Sequence, residues 1–185
     1  MQILILSGSR NPEGRTALAI NALRKGIEKA GSSTECIFLP ELSLERCRQC
    51  ESDGWGVCRR EGYCVIEDDF SSLVDKIKTS DALVFANPVY FADLSESMKA
   101  FLDRLRRISA FNENPITQGI PAIGLCMAGG GGGGAPSACF NMERTLQMCR
   151  FDVVDMIPLR RQNLDAKLPM LELTGEWLTT KPTSQ

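Results

Sequence analysis

The sequence contains no histidine. This absence excludes the Ser–His–Asp and Cys–His catalytic schemes, as well as histidine-ligated metal and haem sites. An enzyme with this sequence must move protons with carboxylates, Lys, Tyr, Cys or water, or it must leave the difficult step to a cofactor.

A surplus of basic residues and a long apolar run are also missing. The chain has 21 Lys and Arg against 23 Asp and Glu, a net charge of −2, whereas nucleic-acid-binding domains usually carry a basic surplus. No apolar run approaches the roughly 18 residues that cross a membrane, and the apolar run at residues 3–6 is too short for a signal peptide. We therefore expect a cytoplasmic protein that contacts neither nucleic acid nor membrane.

Short apolar segments alternate along the chain with segments of helical periodicity, which predicts an α/β fold with a doubly wound parallel sheet of five strands in the order 2-1-3-4-5. We expect one domain over residues 1–185, with a cysteine-rich insertion after strand two at about 44–66 and a tail at about 158–185. The predicted strands are residues 2–6, 35–39, 81–86, 121–126 and 152–157. Helices are predicted at 16–30, from 68 or 69, at 95–107, at 136–149 and, as a short helix, near 171–178.

The loop after the first strand, residues 7–16, has the composition of an anion site. It lies before a helix N-terminus, where backbone N–H groups and the helix dipole favour negative charge. It matches neither the Walker nor the GxGxxG pattern, and its hydroxyl groups suit a single terminal phosphate. The side chains that we expect to contact this phosphate are Ser9, Arg10, Asn11, Arg15 and Thr16.

Two further loops follow strands three and four, at the same predicted edge of the sheet. The first contains Pro88, Val89, Tyr90 and Phe91, whose two aromatic rings could stack on a flat ligand or pack on the core. The second is Ala128 followed by six glycines, residues 129–134. Since glycine has no side chain, such a run lets the backbone approach a ligand closely.

Together, these motifs resemble those of the flavodoxin-like NAD(P)H-dependent FMN reductases. The resemblance covers residues 1–157 and is carried by the Ser-Gly-Ser loop with Thr16, by Asn-Pro-Val-Tyr at 87–90 and by Met-Lys-Ala-Phe-Leu-Asp-Arg at 98–104. It implies a flavodoxin-like fold, FMN as cofactor, NAD(P)H as co-substrate and a homodimer or homotetramer. It also implies that the flavin carries the chemistry without catalytic side chains. The FMN phosphate would lie on the first loop, and the isoalloxazine would lie against Pro88, Val89, Tyr90, Phe91, Ala128, Gly129, Gly130 and Gly131.

Four of the eight cysteines, Cys47, Cys50, Cys58 and Cys64, fall within 18 residues with the spacing C-x2-C-x7-C-x5-C. Thiolates at such spacing can bind a [4Fe–4S] cluster or zinc, and redox-active or ligand-free thiols are the remaining interpretation. The segment, with the Cys-Val-Ile-Glu-Asp-Asp at 64–69, resembles the cysteine loop of iron–sulfur flavoproteins, where two residues rather than seven separate the second and third cysteines. This loop leaves strand two at the predicted flavin edge, which would permit electron exchange.

Several charged residues have simpler interpretations. Arg104, Arg106 and Arg107 are predicted to form a solvated helix face, and Asp68 and Asp69 a charge pair at a helix N-terminus. The leading hypothesis is an FMN-dependent oxidoreductase that passes electrons from NAD(P)H to a quinone, a flavin or an electron-carrier protein. The alternative is an iron–sulfur flavoprotein that carries electrons or senses redox state without turning over a small substrate.

Overall fold

The computed structural model describes residues 1–182. Its five strands form one parallel sheet in the order β2-β1-β3-β4-β5, which confirms the predicted flavodoxin-like topology. In this register Leu4 of β1 lies beside Leu83 of β3. The strand bounds are β1 Gln2–Ser7, β2 Ser33–Phe38, β3 Ala82–Pro88, β4 Pro121–Ala128 and β5 Asp152–Arg160.

Helices cover both faces of the sheet, because the side chains of each strand alternate between two apolar cores. One core packs α1 and α6 against Ile3 and Ile5, and the other packs α3, α4 and α5 against Leu4 and Leu6. The helices are α1 Arg15–Lys29, α2 Val57–Glu61, α3 Phe70–Lys78, α4 Glu96–Ser109, α5 Ala135–Met148 and α6 Leu164–Leu178. In residues 1–182 no helix is both long and apolar enough to cross a membrane.

The last helix begins earlier than its sequence predicts. The prediction placed a short helix near 171–178, after Pro169, whereas α6 starts at Leu164 and contains that proline. Packing overrides the proline because α6 lies directly against α1. A methyl group on Gly26 would overlap the backbone of Glu172, and one on Gly175 would overlap the carbonyl oxygen of Leu23.

The parallel strands bring the ends of β1, β3 and β4 to one edge of the sheet. Ser7 ends β1, Pro88 ends β3 and Ala128 ends β4. The three loops that the sequence singled out all start there, at the strand ends where doubly wound sheets bind their ligands. The fold therefore gathers the predicted flavin-binding segments at a single edge.

Candidate functional site at the carboxyl edge of the sheet

The loop after β1 is held by short side-chain to backbone hydrogen bonds. The backbone N–H of Asn11 donates to Ser9 Oγ at 3.2 Å, and that of Glu13 donates to Asn11 Oδ1 at 2.9 Å. These bonds curl the chain into the first turn of α1, where the side chains of Ser9 and Thr16 are buried. Because Asn11 Oδ1 is the acceptor, the amide nitrogen of Asn11 keeps its donors for a ligand.

The N-terminus of α1 is open to an anion. Its N-cap is Gly14, which provides no side-chain cap, and no acidic residue lies in its first turn. The first N–H groups of a helix have no partner inside the helix, so those of Arg15, Thr16 and Ala17 point out of its end. Exposed Arg15 adds positive charge there. This end of α1 has the donors and the charge that a phosphate group needs.

After β3 the chain makes a tight turn of unusual conformation at residues 90–93. Tyr90 and Asp93 exchange two backbone hydrogen bonds of 3.0 and 3.1 Å, while Phe91 and Ala92 have φ angles of 49° and 65°. Positive φ at both central positions is the type I′ geometry that glycine and asparagine normally occupy. The turn presents the side chain of Phe91 entirely to solvent, at 105% relative exposure. A strained backbone and a fully exposed aromatic ring at this edge are features of a ligand-contacting segment.

The glycine run after β4 contains two kinds of glycine. Gly132 and Gly134 have φ angles of 80°, and a methyl group on Gly134 would lie 2.5 Å from the Cα of Ala92, so this glycine supports the strained turn. Four others need no glycine for their own conformation, since a methyl group would meet nothing within 4 Å. They are Gly129, Gly130, Gly131 and Gly133. These four leave an open cradle at the edge where the flavin is predicted.

Buried polar groups tie the β1 and β3 loops together, and the sequence analysis did not identify them. Asn87 Oδ1 accepts the backbone N–H of Ser95 at 2.9 Å, and Ser97 donates from Oγ to the carbonyl of Gly8 at 3.2 Å. A methyl group on Gly8 would overlap Ser95 Oγ, which explains the glycine of the Ser-Gly-Ser motif. The capping position of Ser95 before α4 was a readable signal, whereas the contact with Gly8 is long-range.

The FMN-binding residues inferred from the resemblance thus lie in three loops at one edge of the sheet. The donors of the first loop suit a phosphate, and the exposed ring of Phe91 and the open glycines suit a flat ring. We conclude that the chain has a site whose chemistry fits FMN. The contact of each predicted residue with FMN stays a prediction.

The four clustered cysteines lie elsewhere, around a small cavity beside α4. Cys47, Cys50, Cys58 and Cys64 all line a cavity of about 20 Å³, which has room for about one water molecule. In the described part of the chain, no group of three or more Cys, Asp or Glu side chains is arranged to hold a metal ion, and all eight cysteines are free thiols. The donors have the chemistry of a thiolate metal site, but their geometry is not that of a [4Fe–4S] or zinc ligand sphere. Metal ligation by these cysteines stays a prediction.

Position along α4 separates this cavity from the flavin edge. Arg104 and Arg107 of α4 line the cysteine cavity, whereas Ser95 and Glu96 lie at the flavin edge. With a rise of 1.5 Å per residue, the 11 residues from Glu96 to Arg107 span about 16 Å. The cysteine loop leaves β2 at the flavin edge, as expected, but folds back along the helix.

Arg104 contradicts its predicted place on a solvated helix face, because its side chain is only 1% exposed. Its guanidinium donates to both carboxylate oxygens of Asp68, to the carbonyl of Glu45 and, at 3.4 Å, to Cys64 Sγ. Asp68 is the counter-ion that makes this burial possible, and its Oδ1 also accepts the N–H of Phe70 at the start of α3. Sequence periodicity missed Arg104 because the cysteine loop covers that side of α4.

Aromatic and guanidinium groups close the outer side of the cysteine cavity. The Arg107 guanidinium lies 4.1 Å from the Trp55 ring centre, and that of Arg59 lies 4.8 Å from the Phe111 ring centre. The rings of Trp55 and Phe111 meet edge to face at 4.9 Å. These contacts hold the tip of the loop against the end of α4.

Comparison with known proteins gives one family and several relatives. The family model described as NADPH-dependent FMN reductase matches residues 1–162. An iron–sulfur flavoprotein of Methanocaldococcus jannaschii is 33% identical over 131 residues, which are 70% of this chain and 65% of that protein. An iron–sulfur flavoprotein of Archaeoglobus fulgidus is 30% identical over 105 residues, 57% of this chain and 46% of that protein. The matched segment thus spans less than two thirds of both relatives.

Solved structures share the fold at lower identity. The NAD(P)H:quinone oxidoreductase from Methanothermobacter marburgensis superposes with a TM-score of 0.72 at 20% identity, covering 96% of each chain. At this identity the likeness establishes the fold alone.

Proposed function

Because the chain belongs to the NADPH-dependent FMN reductase family, we propose that it is an FMN-dependent oxidoreductase that takes electrons from NAD(P)H. The observation that carries the proposal is the meeting of an uncapped helix N-terminus, an exposed aromatic turn and an open glycine cradle at one sheet edge. When bound, FMN would supply a ring that accepts hydride and exchanges protons with solvent, which suits a chain without histidine.

The chain's own residues would bind and orient the cofactor. The N–H groups at the start of α1, with the side chains of Ser9, Asn11 and Thr16, would hold the phosphate, and Arg15 would balance its charge. The exposed ring of Phe91 would lie against the flavin on one side, and the backbone of Gly129–Gly131 would approach it on another. Holding the two redox partners in a fixed geometry would be the main contribution of the protein to the rate.

A comparison of FMN with riboflavin tests the phosphate site. We expect the wild-type protein to quench FMN fluorescence on binding, and we expect Arg15→Gln to weaken FMN by about tenfold, the effect of one lost charge-assisted hydrogen bond. Riboflavin has no phosphate, so its affinity should be the same for both proteins. Equal weakening of FMN and riboflavin would place Arg15 away from the phosphate, and absence of FMN binding by the wild type would refute the proposed function.

Steady-state oxidation of NAD(P)H tests the reaction itself. The FMN-loaded protein should oxidise NAD(P)H under anaerobic conditions when an acceptor is present, with a quinone, a free flavin and an electron-carrier protein compared as acceptors. Bleaching of the flavin by NAD(P)H without turnover on any small acceptor would favour an electron carrier over a reductase.

The second candidate is an iron–sulfur flavoprotein that carries electrons between proteins. It is favoured by the four cysteines around one cavity and by the names of the curated relatives. An anaerobic absorption spectrum with iron and zinc assays on the same sample tests it. About four irons per chain would support this candidate, one zinc would indicate a structural site, and neither metal would assign the cysteines to free thiols.

A further inference from the structure

A second cavity lies beside the predicted flavin loops and is used by none of the assignments above. This cavity, which we call the side groove, has a volume of about 540 Å³ and runs between the loop after β2, the turn at residues 90–93 and the start of α4. Its size lies within the range of roughly 300–1,000 Å³ that is typical of small-molecule sites. The groove is thus large enough for a ring-sized ligand and too small for a protein segment of any length.

One wall of the side groove is apolar and firmly supported. Leu42 and Leu44 form its partly exposed surface, and both pack on the core under α3 and α4. Leu39 and Leu94 lie beneath them and are 1% and 8% exposed. Because half-buried leucines border open space here, a flat apolar ligand would remove additional apolar surface from water.

The opposite rim carries the aromatic residues of the strained turn. Tyr90 and Phe91 both line the side groove, and their rings are 57% and 105% exposed. Since these two residues also belong to the predicted flavin-contacting loop, a ligand in the groove would lie next to the flavin. The groove is therefore in the right place for a molecule that exchanges electrons with the cofactor.

Charge restricts which molecule fits. Arg10 and Glu96 are the two charged residues that line the side groove, and neither forms an ion pair within 4 Å inside residues 1–182. Their charges cancel, and if Arg10 turns to the FMN phosphate, only the negative charge of Glu96 stays. A dinucleotide with several phosphate charges has no cationic partner here, whereas a neutral ring has an apolar wall and aromatic edges to contact.

We infer that the side groove binds the oxidising substrate as a neutral, flat ring of the quinone class. This inference rests on the proposed function and selects one of the three acceptor classes named there. The net reaction would consume one NAD(P)H, one proton and one quinone and would yield one NAD(P)⁺ and one hydroquinone. Two electrons and one proton leave the nicotinamide as hydride, and the second proton of the hydroquinone comes from solvent.

A charge placed on the apolar wall tests the groove. Leu42→Glu puts a carboxylate where the ring would lie, and Leu173→Glu makes the same change at an exposed leucine on α6, on the other face of the sheet. With a benzoquinone as acceptor, we expect Leu42→Glu to raise the quinone KM by at least about tenfold. Ferricyanide accepts single electrons without entering a groove, so its rate of reduction should be unchanged. Leu173→Glu should resemble the wild type with both acceptors.

A binding measurement accompanies the kinetics. 2-Naphthol is a neutral, flat, fluorescent ring that accepts no electrons from flavin. Its fluorescence anisotropy should rise on addition of the wild-type protein or of Leu173→Glu, and it should rise much less with Leu42→Glu.

The outcomes separate this inference from the proposed function. If the FMN-loaded wild type reduces neither acceptor, the proposed function and the substrate role of the groove both fail. Normal ferricyanide reduction with a quinone KM that Leu42→Glu leaves unchanged, or with no binding of naphthol, overturns the groove alone. A rise in the KM for NAD(P)H instead of quinone would assign the groove to the electron donor and would also overturn the inference.

Discussion

Arg104 and Asp68 form a buried, two-pronged ion pair, with Nη1 to Oδ2 at 2.6 Å and Nη2 to Oδ1 at 3.0 Å. The side chains are 1% and 2% exposed. Arg104 belongs to α4 and Asp68 to the end of the cysteine loop, while the carbonyl and the N–H of Glu45, at the start of that loop, bond the same two side chains. One ion pair therefore fastens both ends of the cysteine loop to the sheet.

Removing one partner of this pair should destabilise the protein strongly. Asp68→Asn keeps the shape of the side chain but leaves the charge of Arg104 buried without a counter-ion. We expect the free energy of unfolding in urea to fall by about 3–5 kcal/mol. Asp68→Asn combined with Arg104→Met removes both charges and should cost less than the sum of the single changes. A loss below about 1 kcal/mol for Asp68→Asn would contradict the role of the pair.

The same pair makes stability depend on acid pH. Burial raises the pKa of Asp68, but the hydrogen bonds from Arg104, Glu45 and Phe70 outweigh it, so the pKa lies below its usual value. A carboxyl whose pKa is lower in the folded state stabilises the fold above its unfolded pKa, about 3.9, and loses this contribution as the pH falls through the folded value. The free energy of unfolding should fall below about pH 4 in the wild type, and part of this fall should be absent in Asp68→Asn. Identical acid slopes for the two proteins would refute the prediction.

The open glycines should matter for ligand binding and hardly for folding. Gly130→Val adds a side chain where nothing lies within 4 Å and φ is not positive, so the unfolding free energy of the ligand-free protein should change by no more than about 1 kcal/mol. FMN affinity, measured by fluorescence quenching, should fall by about tenfold or more because the side chain fills the cradle. Gly134→Val is the control, since its φ of 80° and its contact with Ala92 should make it destabilising without any ligand.

How much of this site the sequence predicts depends on the range of the interactions. The strand ends and the loops at residues 7–16, 88–91 and 128–131 follow from local periodicity and turn residues, and the parallel topology then brings them together. Arg104 was misassigned because its partner Asp68 lies 36 residues away in a loop without regular structure. The side groove was missed because its apolar wall comes from a connection whose cysteines drew the interpretation toward metal.

Strain in the turn at residues 90–93 predicts a difference between two small substitutions of Phe91. Both Phe91→Gly and Phe91→Ala remove the ring, but only glycine adopts the φ of 49° without steric cost. Relief of about 1–2 kcal/mol, reduced by the greater chain entropy of glycine, should leave Phe91→Gly more stable than Phe91→Ala by about 1 kcal/mol in thermal or urea unfolding. Both should bind FMN more weakly than the wild type. Equal stability would mean that the turn relaxes in solution.

Cysteine reactivity tests the separation of the eight thiols into two groups. Because the thiolate is the reactive form, burial protects Cys149, whose pKa it raises to about 12, and the pKa of Cys126 is raised by its hydrogen bond to Cys139 and by burial. At pH 8 a thiol of pKa 12 is about one ten-thousandth ionised, against about a quarter for an ordinary thiol of pKa near 8.5. Brief treatment of the native protein with N-ethylmaleimide, followed by peptide mass mapping, should label exposed Cys50 and spare both buried thiols.

The same labelling reports on the cysteine cavity. If the thiols around it bind metal, prior addition of Zn²⁺ should protect Cys47, Cys50, Cys58 and Cys64 together, since a tetrahedral thiolate site engages all four sulfurs. Protection of only two would indicate a disulfide or a partial site, and unchanged labelling would assign these cysteines to free thiols. Cys149 labelled as fast as Cys50 would instead contradict the burial of the core. The experiment thus separates an error in the cavity from an error in the fold, because the two groups of cysteines respond to different features of the structure.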